Sequence, residues 1–309
     1  MGLIPVRVED LIGNTPMVAI ERLFPDAQSK IYGKVEARNP GGSVKDRIAL
    51  AMVEAAEQDG LIEPGKTRIV EATSGNTGIG LAFVAAARGY DLVLALPQGM
   101  SRERETLLKL FGAQVDIVES MGGMNEAVAE AQRLAAEPNT WLPDQFSNPA
   151  NPGAHYSGTG PEIWEALGGK VDALVCGVGT GGTVTGAGRF LKEQNPDIHV
   201  VAVEPASSAV ISGGRPGPHR IQGIGAGFVP SVFDRSVVDE VIPVTDDDAI
   251  STAWAAAKTE GLLIGMSCGA ALVGARTIGL RPEFAGKTIA VVLPDSGERY
   301  ASAPFFAPA

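Results

Sequence analysis

Short apolar runs alternate with segments of helical period from about Lys66 onward, and that alternation restricts the chain to one kind of architecture. Residues 68–72 precede 78–87, 92–96 precede 103–111, 115–118 precede 125–136, and 173–176 precede 183–191. Further apolar runs lie at 200–203 and 288–293. Runs of that length separated by helices read as parallel strands, so the expected fold is α/β, with parallel sheets flanked by helices. The Pro/Asn/Gly-rich stretch 143–153 has little periodicity and marks a crossing between two lobes. Residues 207–230 form a long Gly/Pro-rich loop, and loops of that length are usually functional or disordered.

Composition removes several classes of function. With 309 residues and 45% apolar content, the chain can bury a substantial core around one cleft. A net charge of -11 and no basic cluster argue against nucleic acid or an anionic membrane as a partner. Cys176 and Cys268, the only cysteines, lie far apart in sequence in apolar or small-residue surroundings, as for reduced thiols in a cytoplasmic protein. The first residues, Met1 to Val6, lack a signal-peptide pattern. The longest apolar stretch, 81–96, is broken by Arg88, Gly89 and Asp91, so it does not read as a membrane span.

Two Gly-containing turns follow strands and open helices. The second, Gly177-Val178-Gly179-Thr180-Gly181-Gly182-Thr183, offers amides and two hydroxyls but no cation, a cradle for a phosphate held by N–H groups and the helix dipole. The first, Thr73-Ser74-Gly75-Asn76-Thr77-Gly78, carries three hydroxyls and an amide. That inventory suits the carboxylate of a small substrate, and Asn76 could also reach a phenolic oxygen. Any one of these residues alone would read as a helix cap.

Lys45 gives the two turns a purpose. In Asn39-Pro40-Gly41-Gly42-Ser43-Val44-Lys45-Asp46-Arg47, Pro and paired Gly break the chain just before a helical pattern, which puts the lysine in a first turn. The macrodipole and burial against Ile48, Met52 and Ala55 both disfavour the ammonium form. A neutral amine is a nucleophile. Pyridoxal phosphate needs a lysine Schiff base, a phosphate cradle and a partner for its ring nitrogen, and Ser267, in Gly265-Met266-Ser267-Cys268-Gly269, is a candidate for the last. A neutral hydroxyl there makes the ring a weaker electron sink, suited to elimination. The alternative for Ser267 is a plain N-cap.

A rival reading uses the same loop. Gly177 to Gly182 satisfies G-x-G-x-x-G, and Glu204 stands roughly 20 residues on, where an NAD-dependent oxidoreductase would hold the ribose. That reading leaves Lys45 without a role and places the fingerprint late in the chain.

Together the strings SVKDR around Lys45, TSGNTG from Thr73, DQFSNPANP from Asp144, HYSGTGPEIW from His155, GVGTGGT from Gly177 and GRPGPHRIQGIGAGFVP from Gly214 are similar to those of the cysteine synthases. These O-acetylserine sulfhydrylases are fold-type II pyridoxal-phosphate enzymes, and the likeness runs over nearly the whole chain, with the Gly214 string resembling the A type. The resemblance implies a tryptophan synthase β-like fold of two domains. Residues 45–154 would be a smaller domain closing over the substrate, and 1–44 with 155–309 a larger one holding the cofactor phosphate. It makes Lys45 the Schiff-base lysine and α-proton base. Asn76 would contact the phenolic oxygen, Gly179, Thr180, Gly181, Gly182 and Thr183 the phosphate, and Ser267 the ring nitrogen. Thr73, Ser74, Gly75, Thr77 and Gln145 would bind the substrate carboxylate, with Gly225 near the incoming amino group. The implied reaction turns O-acetyl-L-serine and sulfide into L-cysteine and acetate through an α-aminoacrylate. Homocysteine or O-phosphoserine would be the variants within the fold. A homodimer and the C-terminal tail of serine acetyltransferase are the implied protein partners.

The chain departs from the family pattern at Ala72 (a proline in many A-type enzymes), Cys268 (a serine) and Ser296 (an aromatic). Lone His155 is read as a structural hydrogen-bonding group, and Asp246-Asp247-Asp248 as the cap of a helix. No metal site is expected.

Overall fold

The computed structural model describes residues 6–73, 75–97, 102–118 and 124–306. Among the described residues ten strands form two sheets. The six-stranded sheet contains β1 (Met17–Ile20), β2 (Lys30–Val35), β7 (Ala173–Gly177), β8 (His199–Pro205), β9 (Glu240–Val244) and β10 (Thr288–Leu293), in the order β1-β2-β10-β7-β8-β9. The four-stranded sheet contains β3 (Arg68–Ala72), β4 (Asp91–Pro97), β5 (Gln114–Val118) and β6 (Thr140–Trp141), in the order β5-β4-β3-β6. All pairs are parallel except β1 with β2, so the larger sheet has one antiparallel edge that periodicity does not reveal. Parallel strands buried on both faces carry near-continuous apolar runs, and alternate residues serve opposite faces. Ile69, Leu92, Leu94 and Leu96 pack on one side of the smaller sheet, and Val70, Ala72, Val93 and Ala95 on the other. In the larger sheet Val175, Val201 and Val291 face one cluster while Leu174, Val200 and Val292 face another. Each fully buried Val, Leu or Ile among them contributes about 1.5–3 kcal/mol.

Helices α1 (Lys45–Gln58), α2 (Asn76–Arg88), α3 (Arg102–Leu110) and α4 (Met124–Ala135) accompany the smaller sheet. Helices α5 (Ala150–Ala154), α6 (Gly160–Ala166), α7 (Gly182–Gln194), α8 (Asp246–Glu260) and α9 (Met266–Gly279) complete the chain. The stretch expected as irregular up to residue 153 is thus helical from Ala150, and a π-helical turn over His155–Thr159 joins α5 to α6. Helix α1 buries Ile48, Ala49, Met52, Val53 and Ala56. Ala55 is only half-buried, so the inward face is rotated from the one expected, with Ala49, Val53 and Ala56 in its place. The start of α1 is tied to the larger sheet by a buried charge network. Arg47 donates to Glu36 at 2.7 Å and to Glu162 at 2.7 Å, and Lys34 Nζ lies 2.6 Å from Glu162. Two cations and two carboxylates satisfy one another there, and losing one partner of such a set costs about 3–5 kcal/mol. Burial works to raise the Glu162 carboxyl, yet Arg47 and Lys34 pull it down to about 2.

Candidate active site

Strands β3 and β7 end on the same side of one cavity of about 350 Å³, at their carboxyl ends, where open α/β sheets place ligands. The loop after β7 is built from main chain. Gly181 is the N-cap of α7 in the left-handed region at φ +85°, and a Cβ on it would lie 2.7 Å from Phe233 Cβ. A Cβ on Gly179 would strike the Gly223 carbonyl, and one on Gly182 would strike Asn151 Oδ1. Gly179, Thr180, Gly181 and Thr183 line the cavity. Gly182 is not among the lining residues; its Cα is turned toward Asn151, so its part in the cradle is to let that side chain approach. Asn151 Nδ2 donates to Thr180 Oγ1 at 3.0 Å and to the Gln145 carbonyl at 2.7 Å, joining this loop to the next.

The turn after β3 works through side chains. Thr73 Oγ1 accepts from the amides of Gly75 at 3.1 Å and Gly78 at 3.4 Å. Thr77 donates to Gln145 Oε1 at 2.6 Å, and Gln145 Nε2 donates to the Ala72 carbonyl at 3.2 Å. Thr73, Gly75, Asn76, Thr77 and Gln145 all line the cavity, as does Gly225. Ser74 lies outside the described residues. The first-turn amides of α2, which a helix leaves without internal partners, face this side, so the turn can receive a carboxylate once its hydroxyl and amide groups exchange partners.

Lys45 opens α1 and lines the cavity between the two turns. The lysine is half-buried at the base of this open cavity, and the protein packed around it lowers its pKa by desolvation, with Asp295 and Glu36 working in the opposite direction. Asn76 is held at both ends: its Nδ2 donates to Asp295 Oδ2 at 2.6 Å, and Arg299 donates to its Oδ1 at 2.7 Å. Ser267, 2% exposed, lines the same cavity beside Gly177 and Gly223. The N-cap of α9 is Gly265, with no side-chain capping bond, so Ser267 stands inside the first turn and is not the cap.

The remaining candidates separate cleanly. His155 is buried outside the cavity lining, with one ring nitrogen 2.9 Å from Thr159 Oγ1 and the other 3.1 Å from Thr183 Oγ1. Burial, then Arg47 and Lys45, holds it well below the usual histidine range, so it orients a loop hydroxyl as a neutral ring. Glu204 cannot serve a ribose, because its carboxylate accepts from Ile211 N, Ser212 N and Ser212 Oγ at 2.8, 3.0 and 2.6 Å, fixing the long loop. The cap of α8 is Thr245, whose hydroxyl accepts from Asp248 N; Asp246 and Asp247 fill the first turn and bind Arg220. Ser296 likewise caps the short 3₁₀ turn at Gly297–Tyr300. Cys176 and Cys268 are free buried thiols, each raised by burial. Among the described residues no cluster of His, Cys, Asp or Glu could hold a metal, and no helix is long and apolar enough to cross a membrane.

Sequence reasoning missed Val44, Phe146, His219, Gln222 and Ile224 in the cavity wall, and Asp295 and Arg299 behind it. The quoted strings contained most of them, but nothing local distinguishes a wall from a strut.

A nucleophilic amine, a cation-free cradle whose glycines leave no room for side chains, and a buried hydroxyl in the same cavity are together the donor set that pyridoxal phosphate requires. The chain is 48% identical over 302 residues to a cysteine synthase of Staphylococcus aureus, covering 97% of this chain and 96% of that one. The crystal structure of the Entamoeba histolytica cysteine synthase superposes with a TM-score of 0.95 at 40% identity, covering 99% of this chain and 92% of that one. A hydrogen sulfide-producing enzyme from Fusobacterium nucleatum superposes at 0.92 with 43% identity, covering 96% and 100%. The profile describing pyridoxal-phosphate dependent enzymes matches residues 8–295, and the chain belongs to that family.

Proposed function

We propose that the protein is a cysteine synthase, replacing the acetate of O-acetyl-L-serine by sulfide to give L-cysteine. One observation carries the reading: Lys45, the hydroxyl-rich turn at Thr73–Thr77 and the Gly177–Thr183 loop share one cavity. Bound pyridoxal phosphate supplies an electron sink that acidifies the substrate α-carbon. The first turn of α7, with the hydroxyls of Thr180 and Thr183, holds its phosphate. Ser267 would hold its ring nitrogen, and a neutral hydroxyl there would not stabilise a protonated ring, which suits elimination of acetate better than long-lived carbanions. Thr73, Ser74, Gly75, Thr77 and Gln145 bind the substrate carboxylate, fixing the α-hydrogen toward Lys45. Nζ of Lys45, its pKa lowered by desolvation, takes that proton. Phe146, Ile224 and Val44 exclude water from the reacting carbon.

Residues 45–154 act as a domain that closes on the substrate, carrying Thr77 and Gln145, which bond each other at 2.6 Å and would both turn to the carboxylate. The cytoplasm is the working compartment, with the two buried thiols kept reduced, and the functional unit is a homodimer. The same carboxylate turn would accept a peptide C-terminus such as the tail of serine acetyltransferase. Likeness to the hydrogen sulfide-producing enzyme supports a second reading, in which the same site releases sulfide from a thiol-bearing amino acid. The test is the visible absorption of the purified protein. A yellow protein whose band shifts on adding O-acetylserine and returns with sulfide supports the synthase. A colourless protein that takes up NAD, or wild-type turnover in Lys45→Ala, overturns it.

A further inference from the structure

Asp295 has no part in the mechanism above, yet it is a carboxylate with 1% exposure at the back of the site. The backbone sets it beside the segment that carries the lysine. Ser43 and Asp295 form an isolated antiparallel bridge, and the Val44 amide donates to the Pro294 carbonyl at 2.9 Å, with Lys45 next in the chain. Two donors converge on its Oδ2, Asn76 Nδ2 at 2.6 Å and the Tyr300 hydroxyl at 2.5 Å, while the Cys268 thiol donates to its backbone carbonyl at 3.3 Å with Oδ1 3.8 Å away. Oδ2 thus accepts from an amide and a phenol at once, which ties both side chains to this one residue.

The same contacts settle which way Asn76 points. Arg299 can only donate, so the oxygen of the carboxamide faces it, and the nitrogen is thereby turned to Asp295. One amide hydrogen is then committed to Asp295 and one is left at the cavity wall.

We propose that Asp295 is a positioning residue of this site, the fixed counter-charge of Lys45 and the group that holds the Asn76 carboxamide in its working orientation. The inference rests on the assignment of Lys45 in the proposed function. Burial alone would leave the amine neutral over a wide pH range; Asp295 and Glu36 oppose that effect. The other ionisable groups around it are His155, held neutral partly by Lys45, Asp46 with Arg299 beyond Asn76, and the Tyr300 and Cys268 donors. Asp295 therefore sets the pH at which Lys45 gives up its proton.

The experiment uses the cofactor-free protein, with lysines dimethylated by ¹³C-formaldehyde and borohydride and the Lys45 signal identified by its loss in Lys45→Ala. Asp295→Asn keeps an oxygen to accept from Asn76 and Tyr300 but removes the charge. Its Lys45 midpoint should fall by about one pH unit or more relative to wild type. Tyr300→Phe removes a donor and leaves the carboxylate less neutralised, so its midpoint should rise by a smaller amount. Superimposable wild-type and Asp295→Asn curves, or shifts of the same sign in both variants, overturn the proposal. If Asp295→Asn does not fold, an unmoved midpoint in Tyr300→Phe overturns it and a rise supports it. Failure of the protein to bind pyridoxal phosphate would sink the proposed function while leaving this titration readable.

Discussion

The two turns that flank Lys45 look alike in sequence and differ in how they are made ready. Both follow a parallel strand and open a helix. The Gly177–Thr183 loop is an anchor of main chain, fixed by glycines that face Phe233, Gly223 and Asn151 too closely for any side chain. The Thr73–Thr77 turn is a grip of side chains, and before substrate arrives those side chains satisfy one another, Thr77 with Gln145 and Thr73 with the turn's own amides. An anchor of this kind binds without rearrangement. A grip must exchange hydrogen bonds, each worth about 0.5–1.5 kcal/mol net, and so it responds to what enters. The difference matches the tasks proposed for them: the loop would keep a resident cofactor, and the turn would let a substrate come and go.

Gly181→Asp breaks the comparison most severely. It forces a side chain into the left-handed region beside Phe233 and adds a carboxylate where a dianion belongs, so cofactor affinity should fall at least hundredfold, read as occupancy after dialysis. Full occupancy would show the loop is no anchor. Gln145→Ala should spare occupancy and raise the KM for O-acetylserine roughly tenfold to hundredfold, the loss of one or two contacts to a charged group. Cofactor loss without a KM effect would merge the two regions.

The smallest effect concerns the strut behind the grip. Glu71 accepts from Ala72 N at 3.0 Å and Gln145 N at 3.4 Å, and burial raises its carboxyl from 4.5 to about 8. Between those values the folded chain holds a proton that the unfolded chain has released. Stability from this group is therefore lost as pH climbs from about 4.5 to about 8. Chemical denaturation at several pH values should show a shallower decline in Glu71→Gln than in wild type, and parallel slopes would remove Glu71 as the cause.

The sequence by itself determined the α/β class, the start of α1 at Lys45, and both turns. These are local properties: a strand's alternation, a helix's period and a glycine's freedom are written within a few residues. Strands β1, β2, β6 and β9 were not legible, being short or interrupted by Gly, Pro and polar residues, and neither was the helical run from Ala150. Only the tertiary structure decided that Ser267 is no cap, that Glu204 braces a loop, and that Asn76 answers to Asp295 and Arg299, 219 and 223 residues away. The physical reason is that such pairings depend on which distant elements pack face to face. A carboxylate's role follows from the donors that packing brings to it, and periodicity along one segment carries no record of them.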